Sequence, residues 1–119
     1  MTGSRASIVA VMPNQVPSIQ VRDLPDTAAL LDVREHDEWA AGRAPAAQHV
    51  PMGELVARLD ELPASGTLYV ICRSGVRSAG VAAYLNANGW DAVNVDGGML
   101  AWQAIGRDLV ADDVRPRVL

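Results

Sequence analysis

A chain of 119 residues, half of them hydrophobic, suffices for one domain that removes about two-thirds of its unfolded surface from water. A net charge of −4 argues against a nucleic-acid partner, and no apolar run reaches the 18 residues of a membrane-spanning helix. One cysteine excludes an internal disulfide and fits a reducing, cytoplasmic compartment, while scarce aromatics and absent phenylalanine leave the core to Val, Leu, Ala and Ile.

In chain order, residues 1 to 16 hold Gly3, Ser4, Pro13 and Asn14, lack sustained periodicity and read as a flexible lead-in. Arg5 before Ala-Ser-Ile-Val-Ala-Val-Met supplies one basic residue and no clear cleavage site, so this stretch is not read as a signal peptide. A short strand is predicted at Ser18–Val21, and a strand buried on both faces at Ala28–Val33, apolar except for Asp32. Glu35, Asp37 and Glu38 complement the positive end of a short helix that Gly42 ends. After a loop over 43–47 and a brief strand at Gln48–Val50, Met52, Leu55, Val56, Leu59 and Leu62 fall on one helical face, closed by Pro63.

A strand at Leu68–Ile71 leads through Cys72 into an alanine-rich helix from about Gly75 to Asn88. A last strand at Ala92–Val95 turns at Gly97-Gly98 into a final helix, about Met99 to Ile105. Residues 108–119 are charged, contain Pro116 and read as a mobile tail, which leaves 17–107 as the domain. Strands alternating with helices predict an α/β fold: a mostly parallel sheet of about five short strands, joined by right-handed crossovers and covered by helices on both faces.

The chemistry concentrates at Cys-Arg-Ser-Gly-Val-Arg-Ser, residues 72 to 78. Ligands of open parallel sheets bind beyond the carboxyl ends of the strands, where the first turn of the next helix offers unpaired N–H groups to an anion. A thiol there loses its proton more readily, and Arg73 and Arg77, the only charged residues between Glu61 and Asp91, are expected to add a positive field. Gly75 permits a backbone turn that points successive N–H groups inward, and Ser74 and Ser78 can donate hydroxyl hydrogen bonds. The plain alternative is a buried structural thiol, but that needs neither flanking arginines nor a helix start.

This loop after an apolar strand resembles the active-site loop of rhodanese-type sulfurtransferases, in which a cysteine carries a sulfane sulfur as a persulfide. Three further stretches agree in order: Leu31-Asp32-Val33-Arg34-Glu35 with Glu38-Trp39 and Gly42; His49-Val50-Pro51-Met52-Gly53-Glu54-Leu55; and Val95-Asp96-Gly97-Gly98-Met99 with Trp102. The resemblance spans roughly residues 18 to 106 and implies the three-layer rhodanese fold. It implies Cys72 as nucleophile, with Arg73, Ser74, Gly75, Val76, Arg77 and Ser78 binding the donor anion and the outer sulfur. The implied substrates are a donor such as thiosulfate and a thiol or cyanide acceptor, with a sulfur-relay protein as a further partner and no cofactor.

Asp32 and Arg34 read as a structural polar pair. His36 and His49 are candidate bases by residue type alone, and Trp39, Trp90 and Trp102 read as packing residues. No cluster has metal-ligand spacing. The alternatives are a persulfide carrier or a non-catalytic binding module, and a phosphatase or arsenate reductase on the same fold. The resemblance implies five residues between cysteine and arginine in phosphatase loops, whereas four separate Cys72 from Arg77. One departure stands out: a Gly-His-Ile-Pro-Gly-Ala-like stretch is replaced by Gly42-Arg43-Ala44-Pro45-Ala46-Ala47.

Overall fold

The structure, a computed structural model, describes residues 16–119. The expected lead-in therefore lies, except for Val16, outside the described residues.

Five strands form one wholly parallel sheet in the order β1-β5-β4-β2-β3. They are β1 (Ser18–Gln20), β2 (Ala29–Asp32), β3 (Gln48–His49), β4 (Thr67–Ile71) and β5 (Asp91–Asp96). The helices are α1 (His36–Ala41), α2 (Val76–Ala87) and α3 (Gly98–Ala104). Among the described residues no helix is long and apolar enough to cross a membrane.

β4 lies in the middle, paired with β2 from Ala29↔Leu68 to Asp32↔Ile71 and with β5 from Thr67↔Asp91 to Val70↔Asn94. Its side chains alternate between two cores, as the period of two demands. Leu68 and Val70 pack with Leu31, Val33, Val81, Ala82 and Leu85 on the α2 side, whereas Ile71 joins Val21, Leu30, Val95, Met99 and Trp102 on the α3 side. Both faces are thus covered, as the alternation of elements predicts.

The stretch after β3 differs from its expected single helix. Met52–Glu54 and Val56–Glu61 are 3₁₀ turns, and the second is broken at Arg58 (φ −122°, ψ 20°). Leu55 and Leu62 are buried as the spacing requires, but Met52 and Val56 are exposed. The Arg58 guanidinium is drawn to Glu54 and Glu61 and also donates to the His49 carbonyl, contacts that fix this broken path.

The tail is laid along the domain rather than free. Arg43 and Val110 exchange main-chain hydrogen bonds at 2.9 and 3.0 Å, and the Asp112 and Arg117 N–H groups donate to Ala40 and Ala41 carbonyls. The Arg43 side chain reaches Asp112 at 2.9 Å and lies over the Trp39 ring. Arg43, one of the residues in the stretch that departs from the family pattern, is therefore among those that fasten this segment. Gly42, expected as a helix stop, has extended backbone, and a Cβ there would run into the Arg117 carbonyl.

Candidate active site

One residue past β4, Cys72 keeps the strand alternation and packs with Leu68 and Val70 on the α2 side, 1% exposed. Gly75, at φ 106°, then turns the chain into α2, a conformation that side chains larger than glycine rarely adopt. The turn wraps the backbone around the sulfur. Cys72 Sγ accepts from the Gly75 N–H at 3.2 Å, the Ser78 N–H at 3.4 Å and the Ser78 hydroxyl at 3.2 Å. The loop is held from behind by α3: Met99 N–H donates to the Cys72 carbonyl at 2.8 Å and Leu100 N–H to the Arg73 carbonyl at 3.0 Å.

Burial raises the cost of a thiolate here. The Ser78 hydroxyl, then the N–H groups of Ser78, Gly75 and Ser74, outweigh it and bring the thiol below its ordinary pKa. The leading stabilisers are thus uncharged donors rather than the arginines that the sequence suggests. Arg77 gives both terminal nitrogens to the Glu38 carboxylate on α1, at 2.8 and 2.9 Å. That bidentate pair keeps the Glu38 carboxyl below the usual carboxylate range, the Arg77 hydrogen bond outweighing the opposing effect of burial.

Arg73 is exposed, and its Nε donates to the main-chain oxygen of Leu119 at 2.7 Å. Ser74 is exposed beside it, and Val76, the first residue of α2, is 78% exposed. The expected set 72 to 78 therefore divides. Cys72, Gly75 and Ser78 meet at the sulfur, Arg77 faces α1, and Arg73 and Val76 form the rim.

Asn94 on β5 was not among the sequence candidates, yet its Oδ1 accepts from the Ser78 hydroxyl at 2.6 Å and its side chain is buried. Its signal in the sequence is a lone amide between Val93 and Val95 on a strand meant to be buried.

The other candidates lie elsewhere. Asp32 and Arg34 form a fully buried ion pair at 2.8 Å, and Arg34 also donates to the Glu38 and Gly42 carbonyls, which makes it the structural pair expected. His36 meets Glu54, and His49 contacts the Arg34 carbonyl and stacks on Trp39, so neither imidazole shares a hydrogen bond with Cys72. Trp102 is buried beneath Arg107, and the Trp90 indole N–H donates to the Pro63 carbonyl. An open pocket beside Leu24, Leu30, Ala47 and Trp102 shares no residue with the loop.

Comparison with known proteins agrees with this architecture. The family model of the rhodanese-like domain matches residues 19–105. YtwF of Bacillus subtilis (strain 168), whose name proposes a sulfurtransferase, is 45% identical over 74 residues, 62% of this chain and 72% of that protein. An Allochromatium vinosum protein named sulfurtransferase is 36% identical over 106 residues, 86% of this chain and 99% of that one. The crystal structure of a rhodanese-like domain protein from Staphylococcus aureus superposes with a TM-score of 0.73 at 38% identity, covering 82% of this chain and 99% of that one. The chain belongs to the rhodanese-like domain family.

Proposed function

We propose that the protein is a sulfurtransferase that moves a sulfane sulfur from a donor such as thiosulfate to a thiol or cyanide through a persulfide on Cys72. The observation that carries this reading is the ring of three donors on Cys72 Sγ at the start of α2, which stabilises a thiolate and favours nucleophilic chemistry. The names of the relatives point to the same class of reaction.

The thiolate attacks the outer sulfur of thiosulfate. A Cys72 S–S bond forms, the S–S bond of the donor breaks, and sulfite leaves with the electron pair. The negative charge moves from Sγ to the outer sulfur of the persulfide, where N–H groups of the loop from Arg73 to Ser78 stabilise it as an oxyanion hole does an oxygen. Cyanide or a thiolate then takes that sulfur and returns Cys72 to its starting charge. Of the two loop guanidiniums Arg73 is the exposed one, its Nε on the Leu119 main-chain oxygen, and it would hold the anionic remainder of the donor. Arg77, bound by Glu38, orders the helix start instead, which also argues against a phosphatase that needs this arginine on its substrate.

Intact-protein mass spectrometry after thiosulfate, then after cyanide, tests the assignment. Wild type is expected to gain one sulfur and lose it as thiocyanate, whereas Cys72→Ser gains none, keeps its fold and does not turn over. Wild-type-like activity in Cys72→Ser would overturn the assignment. Loading without repeated turnover would make the protein a carrier that discharges to a partner.

A further inference from the structure

The Ser78 hydroxyl has one proton and two acceptors within reach: Cys72 Sγ at 3.2 Å and Asn94 Oδ1 at 2.6 Å. It cannot serve both at once. Asn94 is itself fixed, because its Nδ2 donates to the Gly75 carbonyl at 3.3 Å and to Asp96 Oδ1 at 3.2 Å. Both of those partners only accept, so the amide nitrogen must face them and the amide oxygen must face Ser78. The remaining Asp96 oxygen is met by Gln20 Nε2 from β1 at 3.4 Å. A network anchored on two neighbouring strands thus aims one acceptor at the hydroxyl beside the nucleophile.

We propose that Asn94 is a positioning residue that gives the Ser78 hydroxyl a second resting place, so that its proton lies on Sγ only while Sγ carries the negative charge. This rests on the persulfide reading above. In the thiolate the proton turns to Sγ, and Asn94 Oδ1 is left buried without it. When the outer sulfur is bonded and takes the charge, Sγ no longer needs the donor, and the proton returns to Asn94. Asn94 therefore disfavours the resting thiolate and favours the loaded state, which keeps the sulfur reactive rather than over-stabilised. The charged groups of this network and of the loop are Asp96 behind Asn94 on β5, Arg73 on the rim, and Arg77 of α2 paired with Glu38 of α1.

The test is a double-mutant cycle read by the pH dependence of Cys72 alkylation with iodoacetamide, which does not require sulfur transfer. Asn94→Ala and Asn94→Val, the second matched to a buried strand, should each lower the thiol pKa by about 0.5 to 1 unit, the scale of one hydrogen bond. Ser78→Ala should raise it. In the Ser78→Ala background the Asn94 substitutions should then do nothing. A merely structural amide would lower the unfolding midpoint without this Ser78-dependent shift.

An upward shift in the Asn94 variants, or one that persists without the Ser78 hydroxyl, overturns the proposal, as does failure of both Asn94 variants to fold. A protein that neither thiosulfate nor a persulfide donor can load, yet that shows the coupled shift, would sink the sulfurtransferase reading alone. One that loads without the coupled shift would sink only the role of Asn94.

Discussion

Arg34 and Cys72 stand just beyond the ends of adjacent strands, both buried, and both are groups that can carry charge into the interior. The guanidinium is met by a full counter-charge: Asp32 takes Nε at 3.0 and 3.1 Å and Nη2 at 2.8 Å, and two carbonyls take further protons. The sulfur is met by main-chain N–H groups and a hydroxyl, none of them charged. The difference follows from permanence. A guanidinium is always ionised and needs a fixed partner, whereas a thiol that can lose and regain its proton is served by donors that also tolerate its neutral form.

Breaking the permanent pair should have the largest effect. Arg34→Met strands a buried carboxylate and should cost about 3 to 5 kcal/mol of stability, read from the urea midpoint. Adding Asp32→Leu should return part of that loss, because an apolar pair need not be desolvated. If the single and double variants are equally unstable, the guanidinium acts through the Glu38 and Gly42 carbonyls rather than through charge.

The Arg77–Glu38 pair is intermediate, with side chains 29% and 13% exposed. Glu38→Gln should cost about 1 to 2 kcal/mol at neutral pH, between the values for surface and buried pairs. The folded-state pKa of Glu38 lies below its ordinary 4.5. Its contribution should therefore be complete above that value and fade as the pH falls through the folded pKa. Urea unfolding at a series of pH values should show wild type and Glu38→Gln separated near neutrality and converging in acid. A gap that persists in acid would deny the charge its role.

The smallest effect belongs to the surface. Asp112→Ala removes the Arg43 ion pair, whose acid partner is 65% exposed, and should cost no more than about 1 kcal/mol by thermal unfolding. A larger loss would mean that the C-terminal segment holds the domain together, not merely its own place.

What the sequence reveals follows how local each signal is. The strand, loop and helix around Cys72 are contiguous, and the alternation of Leu68, Val70 and Cys72 is legible without any partner. Arg77 stands alone among uncharged neighbours in the sequence, but its partner Glu38 is 39 positions away, so an arginine that looked free is paired. Asn94 is hidden for the same reason, since only the register of β5 beside β4 brings it to Ser78. The 52–62 segment misleads differently: its apolar spacing fits an α-helix, while polar contacts of Arg58 with Glu54, Glu61 and His49 decide the path. The docking of residues 108–119 depends on Arg43 and Gly42, far back in the chain and without a pattern of their own.

The course of that last segment links two distant parts of the molecule. Leu119 meets Arg73, on the rim of the loop that carries Cys72. Because this segment is also pinned by the Arg43–Val110 main-chain pair and the Asp112 contact to Ala40, the setting of that guanidinium is tied to the end of α1, far from the loop in sequence.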